Sequence, residues 1–144
     1  MDYTELAGQF LQYFNKFRKN HHQKAIDETL GGEAFVLLYI WRKSSYVLPS
    51  EVSNEMCISS ARMAAILNAL ENKGLVIRQI DREDRRRILV SLTRSGEAAA
   101  RELSQKALNS AVHMLEMLGE RDANEFVRIM GRLVDLAPEI TNLE

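Results

Sequence analysis

Residues 74–93, Gly-Leu-Val-Ile-Arg-Gln-Ile-Asp-Arg-Glu-Asp-Arg-Arg-Arg-Ile-Leu-Val-Ser-Leu-Thr, constrain the fold more tightly than any other stretch of the chain. Leu75 to Ile80 is an apolar, β-branched run. Ile88, Val90 and Leu92 then alternate with Leu89 and Ser91, the period of a strand with one face buried. Between the two runs lie Asp81, Arg82, Glu83, Asp84, Arg85, Arg86 and Arg87, four arginines and three acids that no apolar core could hold. The stretch predicts a β-hairpin with a charged tip. Taken alone, the tip has two readings. One is a solvated turn of mixed charge. The other is an arginine-bearing ribbon suited to phosphates or to a narrow, strongly negative minor groove.

What precedes the hairpin weighs on that choice. Leu48-Pro49-Ser50-Glu51 opens a short helix, with proline where its missing N–H costs little, and Val52 and Met56 are its apolar points. Ser59-Ser60 then caps a longer helix that runs to about Lys73, with Met63, Ile66, Leu67 and Leu70 at the buried spacing, and Gly74 ends it. A short helix, a turn of about three residues and a longer helix form the pattern of a helix-turn-helix. Ser59, Ser60, Ala61, Arg62 and Ala65 occupy the face that the apolar stripe leaves free, the face that would enter a major groove.

The flanking segments read as helices. Residues 3–24 carry Leu6, Phe10, Tyr13, Phe14 and Phe17 in one continuous stripe, followed by the polar and basic run Arg18 to Lys24. Thr29-Leu30-Gly31-Gly32 breaks the pattern. Helix resumes from Glu33 to Lys43, and Ser44 to Val47 is a short connection. After the hairpin, Thr93 caps a long helix over about 94–118, with Leu103, Ala107, Leu108, Ala111, Met114 and Leu115 in a stripe. Leu118 to Asp122 reads as a turn. A last helix, about 122–136, presents Phe126, Ile129, Met130, Leu133 and Val134, and Pro138 is expected to close it. An aromatic or aliphatic stripe at a chain terminus serves an intersubunit core as well as an intrachain one.

With 144 residues, of which 46% are hydrophobic and 27% charged, the chain can bury the core of one domain. The net charge of −1 hides an asymmetry: from Ile58 to Arg94 there are eight Lys/Arg against four acids, so the remainder is acidic. A basic middle in an acidic chain is the pattern of a protein that meets DNA on one surface. No apolar run approaches the ~20 residues needed to span a bilayer, and the start lacks a basic region followed by an apolar one. With a single cysteine, Cys57, a cytoplasmic protein without membrane contact is expected. His21, His22 and His113 are the only histidines, and no cysteine or carboxylate stands at ligand spacing from them, so neither a metal nor a cofactor is expected. Cys57 has two readings, a redox sensor ahead of the recognition helix or a turn residue packed against Val52 and Met56. No phosphate-binding glycine loop or nucleophile elbow occurs, and the acids are dispersed, which speaks against an enzyme.

In order and in residues the chain resembles the MarR family of bacterial winged-helix repressors. Three segments carry the likeness: Leu70-Glu71-Asn72-Lys73-Gly74-Leu75-Val76-Ile77-Arg78, then Asp81-Arg82-Glu83-Asp84-Arg85-Arg86, then Val90-Ser91-Leu92-Thr93-Arg94-Ser95-Gly96. They match the family's leucine-glutamate-x-x-glycine-leucine-valine turn, its aspartate-proline-x-aspartate-x-arginine wing and its leucine-threonine-x-x-glycine exit, in order and without a gap. The resemblance implies a mainly α fold with a small β-hairpin wing, a single winged helix-turn-helix domain over 1–144. Residues 48–73 would be the helix-turn-helix and 75–92 the wing. Residues 1–30 and 119–144 would form dimerisation helices, built on Leu6, Phe10, Phe14 and Phe17 and on Phe126, Ile129, Met130 and Leu133. It also implies a homodimer on a pseudo-palindromic operator, with Ser59, Ser60, Ala61, Arg62 and Ala65 in the major groove. Arg82, Arg85, Arg86 and Arg87 would belong to the wing, Arg86 at its tip, and Asp84 would hold the wing in shape.

The sequence departs from the family pattern at several positions. Arg82 stands where the wing usually has proline. Cys57 stands where the turn often has glycine at positive φ, and Ser53 replaces a usual alanine. Arg62 lies where many members carry threonine, and Ala65 where many carry a polar or basic residue. Two function classes remain: a DNA-binding transcriptional regulator, and a winged-helix module that binds another protein. The arginine-dense wing favours the first. The resemblance also allows a small-molecule effector, in a cleft between dimer helices and winged lobe, with Phe35, Tyr39, Trp41 and Tyr46 the nearest aromatics.

Overall fold

A computed structural model of the chain describes residues 3–28 and 32–141, with side chains for 3–17 and 32–138. The elements run α1 (Tyr3–Glu28), α2 (Glu33–Lys43), α3 (Pro49–Glu55), α4 (Ser60–Asn72), β1 (Val76–Ile80), β2 (Ile88–Leu92), α5 (Arg94–Leu118) and α6 (Glu120–Thr141). This is a mainly α winged helix with one antiparallel hairpin, as the hydrophobic pattern predicts. The break at Thr29-Leu30-Gly31 and the side chains of Arg18 to Lys24, His21 and His22 among them, lie outside the described residues. The chain divides into two compact units, Met1–Arg101 and Glu102–Glu144.

The first unit holds the core. Val36, Leu37 and Ile40 of α2, Val52 of α3, Met63, Ile66, Leu67 and Leu70 of α4, Val76 of β1 and Val90 of β2 are all buried. The stripe read from α4 is therefore its inner face. The end of α2 is set by Ser44, whose backbone turns left-handed (φ 54°) and donates its N–H to the carbonyls of Ile40 and Trp41.

The short connection expected over Ser44 to Val47 does more than connect. Val47 and Val90 exchange both backbone hydrogen bonds, at 2.8 and 2.9 Å, so Val47 lies against β2 as a one-residue third strand. The hairpin register runs from Val76 opposite Leu92 to Ile80 opposite Ile88. The expected alternation holds only at its base. Val90 is fully buried, but Ile80 is 66% exposed and Ile88 44%, because this last pair has passed beyond the helices beneath it.

At the exit, Thr93 makes a knot. Its hydroxyl donates to the Gly74 carbonyl (2.6 Å) and accepts from the Gly96 N–H (3.0 Å), while its own N–H donates to the Leu75 carbonyl (3.0 Å). One side chain thus caps α5 and fastens it to the turn between α4 and β1. Gly96 is there for space: a Cβ at this position would stand 1.9 Å from the Leu75 carbonyl oxygen.

The long helices differ in kind. On α1, Leu6, Phe10, Phe14 and Phe17 are all exposed, with the Phe10 and Phe14 rings stacked at 5.9 Å. This helix runs to Glu28, four residues past the expected end at Lys24. In the second unit, Phe126, Ile129, Met130 and Leu133 recur at helical spacing on α6, each more than two-fifths exposed. The expected five-residue turn before α6 is a single residue, Gly119, at φ 79°. Pro138 does not close this helix but lies within it. Three residues from the end, proline removes one hydrogen bond of a final turn whose carbonyls are already unpartnered.

Candidate nucleic-acid interface

The first half of the site is the helix-turn-helix. At the start of α3 the Leu48 N–H donates to the Glu51 carboxylate (2.7 Å), and the hydroxyl of buried Ser53 donates to the Ser50 carbonyl (3.0 Å). The turn passes through Cys57 at φ 53°, the left-handed conformation that the usual glycine would adopt freely. Cys57 is exposed, so the reading that packs it against Val52 and Met56 does not hold. Its thiol points at the Asn54 carbonyl instead (3.7 Å). At the start of α4, the Ser59 hydroxyl accepts from the Arg62 N–H (3.2 Å). Ser59, Ser60, Ala61, Arg62 and Ala65 are exposed together, and Ala64 and Asn68 extend the same face. Small residues there let another backbone come close. The Arg62 guanidinium makes no hydrogen bond among the described residues and is free to reach outward.

The second half is the wing. Its tip is closed by the Asp81 N–H donating to the Arg87 carbonyl (3.0 Å) and the Arg87 N–H to the Asp84 carbonyl (2.9 Å). Two aspartate side chains brace it. The Asp81 carboxylate accepts from the Glu83 N–H (3.0 Å), and the Asp84 carboxylate accepts from the Arg86 N–H (3.1 Å). Both are the local side-chain-to-backbone turns for which aspartate is chosen. They hold the tip without the usual proline, whose place Arg82 takes.

The four wing arginines are not equivalent. Arg87 leans back on Asp81, with Nε 3.7 Å from the carboxylate. Arg86 Nε donates to Asp84 (3.2 Å), yet its side chain stays 91% exposed, so the rest of its donor fork faces outward. Arg82 and Arg85 make no side-chain hydrogen bond or ion pair among the described residues.

The halves are joined by a network that the sequence reading did not single out. Arg78 on β1 donates through Nε to the Glu71 carboxylate on α4 (2.9 Å) and through Nη2 to the Asn68 carbonyl oxygen (2.7 Å). A second Arg78–Glu71 hydrogen bond completes the fork. Glu71 and Arg78 both stand in the leucine-glutamate-x-x-glycine-leucine-valine segment. Their spacing alone did not reveal that the chain reversal at Gly74 brings them face to face.

The first unit also contains a cavity of about 430 Å³. Trp41 and Tyr46 line it, with Ser44 and Ser45 from the loop after α2, Gln79, Leu89 and Ser91 from the hairpin, and Glu97 from the first turn of α5. Phe35 and Tyr39 are not among its walls. They stack on each other at 6.0 Å, with the Lys43 ammonium 5.5 Å above the Tyr39 ring. Among the described residues, no three His, Cys, Asp or Glu side chains stand close enough to hold a metal ion, and no helix is long and apolar enough to cross a membrane.

Comparison with known proteins agrees with this construction. Residues 33–88, which contain α2, the helix-turn-helix and most of the wing, match the MarR family model. The chain is 26% identical over 140 residues to the uncharacterized HTH-type transcriptional regulator YwhA of Bacillus subtilis, covering 92% of this chain and 99% of that protein. Among solved structures, a MarR transcriptional regulator from Methanosarcina mazei superposes with a TM-score of 0.70 at 20% identity, over 94% of this chain and 99% of the other. Streptococcus pneumoniae FabT, solved in complex with DNA, superposes with a TM-score of 0.69 at 24% identity, over 99% of this chain and 100% of the other. With its family segment spanning the helix-turn-helix and wing, and its fold shared from end to end, the chain belongs to the MarR family.

Proposed function

We propose that the protein is a sequence-specific, double-stranded DNA-binding transcriptional regulator, a repressor that works in the cytoplasm as a homodimer on a pseudo-palindromic operator. The observation that carries this reading is the joined pair of exposed surfaces. A helix face of small residues with Arg62 is fastened through Arg78, Glu71 and Asn68 to a braced tip that presents Arg82, Arg85 and Arg86. The first surface suits a major groove, and the second suits the adjacent minor groove, where arginine responds to width and negative potential. Relatives point the same way: YwhA is named a transcriptional regulator, and FabT was solved on DNA. The exposed stripes of α1 and α6 support the homodimer. Two recognition helices read successive major grooves only about 34 Å apart, so an effector that favours another spacing would weaken operator affinity, and DNA would weaken the effector equally.

The test is a binding assay on the DNA flanking the protein's own gene, with random DNA of equal length as reference. Arg62→Ala should cost about 1–3 kcal/mol on the operator and relax preference at one position per half-site, as for an arginine bidentate to guanine. An equal loss on both DNAs would make Arg62 a phosphate contact. Equal affinity of the unaltered protein for both would overturn sequence-specific binding.

A further inference from the structure

We propose that the cavity walled by Trp41, Tyr46 and Glu97 is a binding site for an aromatic organic cation, such as a quaternary ammonium with a one- or two-ring body. The inference rests on the fold of the first unit alone and stands whether or not the protein binds DNA. At about 430 Å³ the space lies within the ~300–1,000 Å³ usual for small-molecule sites. Its chemistry is one-sided. Glu97 is the only charged residue in the lining, and the polar remainder, Ser44, Ser45, Gln79 and Ser91, is neutral.

The Glu97 backbone N–H is taken up by the Thr93 carbonyl (2.9 Å). Its carboxylate, by contrast, has no hydrogen-bond or ion-pair partner among the described residues. No lysine or arginine lines the cavity to meet it. Two electron-rich rings and an unpaired carboxylate around one space attract a cation on two counts, by the ring quadrupoles and by charge. Leu89 and Leu92 give such a ligand's ring system an apolar wall. An anion would meet the Glu97 charge with nothing to offset it. A neutral ring would gain the apolar contacts alone.

Trp41 is the only tryptophan in the chain, so its fluorescence reports on this cavity. The full-length protein is titrated with benzyltrimethylammonium, benzyl alcohol and benzoate at constant ionic strength, with calorimetry alongside. The cation should give a saturable fluorescence change and a matching heat, the alcohol a response at least ten-fold weaker, and benzoate none. Glu97→Gln should weaken the cation at least ten-fold while circular dichroism and Tm stay unchanged, since the side chain is exposed and unpaired. Tyr46→Ala, also exposed, should weaken it too and serves as a second variant should Glu97→Gln perturb the fold. The proposal is overturned if the cation gives neither signal, if benzoate binds as well as the cation, or if both variants keep the original affinity.

Discussion

The lobe formed by α2, α3, α4 and the hairpin closes on itself, whereas the long helices α1 and α6 do not. Every fully buried large side chain, from Val36 to Val90, belongs to the segment that carries this lobe. On α1 and α6 the large apolar residues keep two-fifths or more of their surface in water. A Leu or Phe left exposed forgoes roughly 1.5–3 kcal/mol of burial, and eight such residues on two stripes are more than a stable chain of this size leaves without use. The contrast separates two jobs. One region is folded by its own residues and offers an arginine-bearing surface; the other offers apolar surface that only a second copy of the chain would match under the proposed function.

The largest effect that could break this contrast is at the stripes. Leu133→Asp or Phe14→Asp should halve the sedimentation mass and lower operator affinity at least a hundred-fold, while the hairpin lobe keeps its own core. A monomer that still binds the operator tightly would refute the dimer. Next is Gly96→Ala, whose Cβ would stand 1.9 Å from a backbone oxygen. Forcing the backbone apart there should cost about 3 kcal/mol, read as a lower midpoint in urea with an unchanged slope. A neutral result would show that the knot gives way easily.

Arg86→Ala sharpens the contrast from the other side, because a tip residue 91% exposed supports no core. Stability should be unchanged, operator affinity should fall about ten-fold or more, and the salt dependence should flatten by roughly two units per dimer. Asp84→Ala should also weaken binding, although it removes a negative charge, because the Arg86 N–H and Nε lose their brace. Tighter binding by Asp84→Ala would mean the tip acts only through its net charge. The smallest effect is Cys57→Gly. Relief of a left-handed non-glycine backbone is worth about 1 kcal/mol, a rise in Tm of roughly 2–4 °C. No rise would mean the turn holds φ 53° without strain.

Much of this was legible from residue order because the signals are local. Ser59, Gly74 and Thr93 mark helix ends where they stand, and Cys57 in a glycine position announced its positive φ. Other features have no local signal. Val47 pairs with Val90 through one residue, too short to show a period. Ile80 and Ile88 follow the strand alternation faithfully, but alternation names a face and not how far the core extends beneath it. α1 continues past its apolar stripe because lysine, glutamine and alanine favour helix without any periodicity. The Arg78–Glu71–Asn68 network depends on a chain reversal, and Pro138 on its distance from a helix end.

The Thr93 knot restricts what can change in length. An α-helix turns about 100° and rises about 1.5 Å per residue. One residue inserted between Thr93 and Gly96 would therefore either pull the cap off Gly74 and Leu75 or swing everything after it on α5 by more than a quarter turn. The stripe from Leu103 to Leu115 would then face a different direction. Substitutions at Arg94 and Ser95, both exposed, cost little by comparison. This short stretch should vary in its letters and never in their number, so an alignment of functional relatives should contain no gap between Leu92 and Gly96.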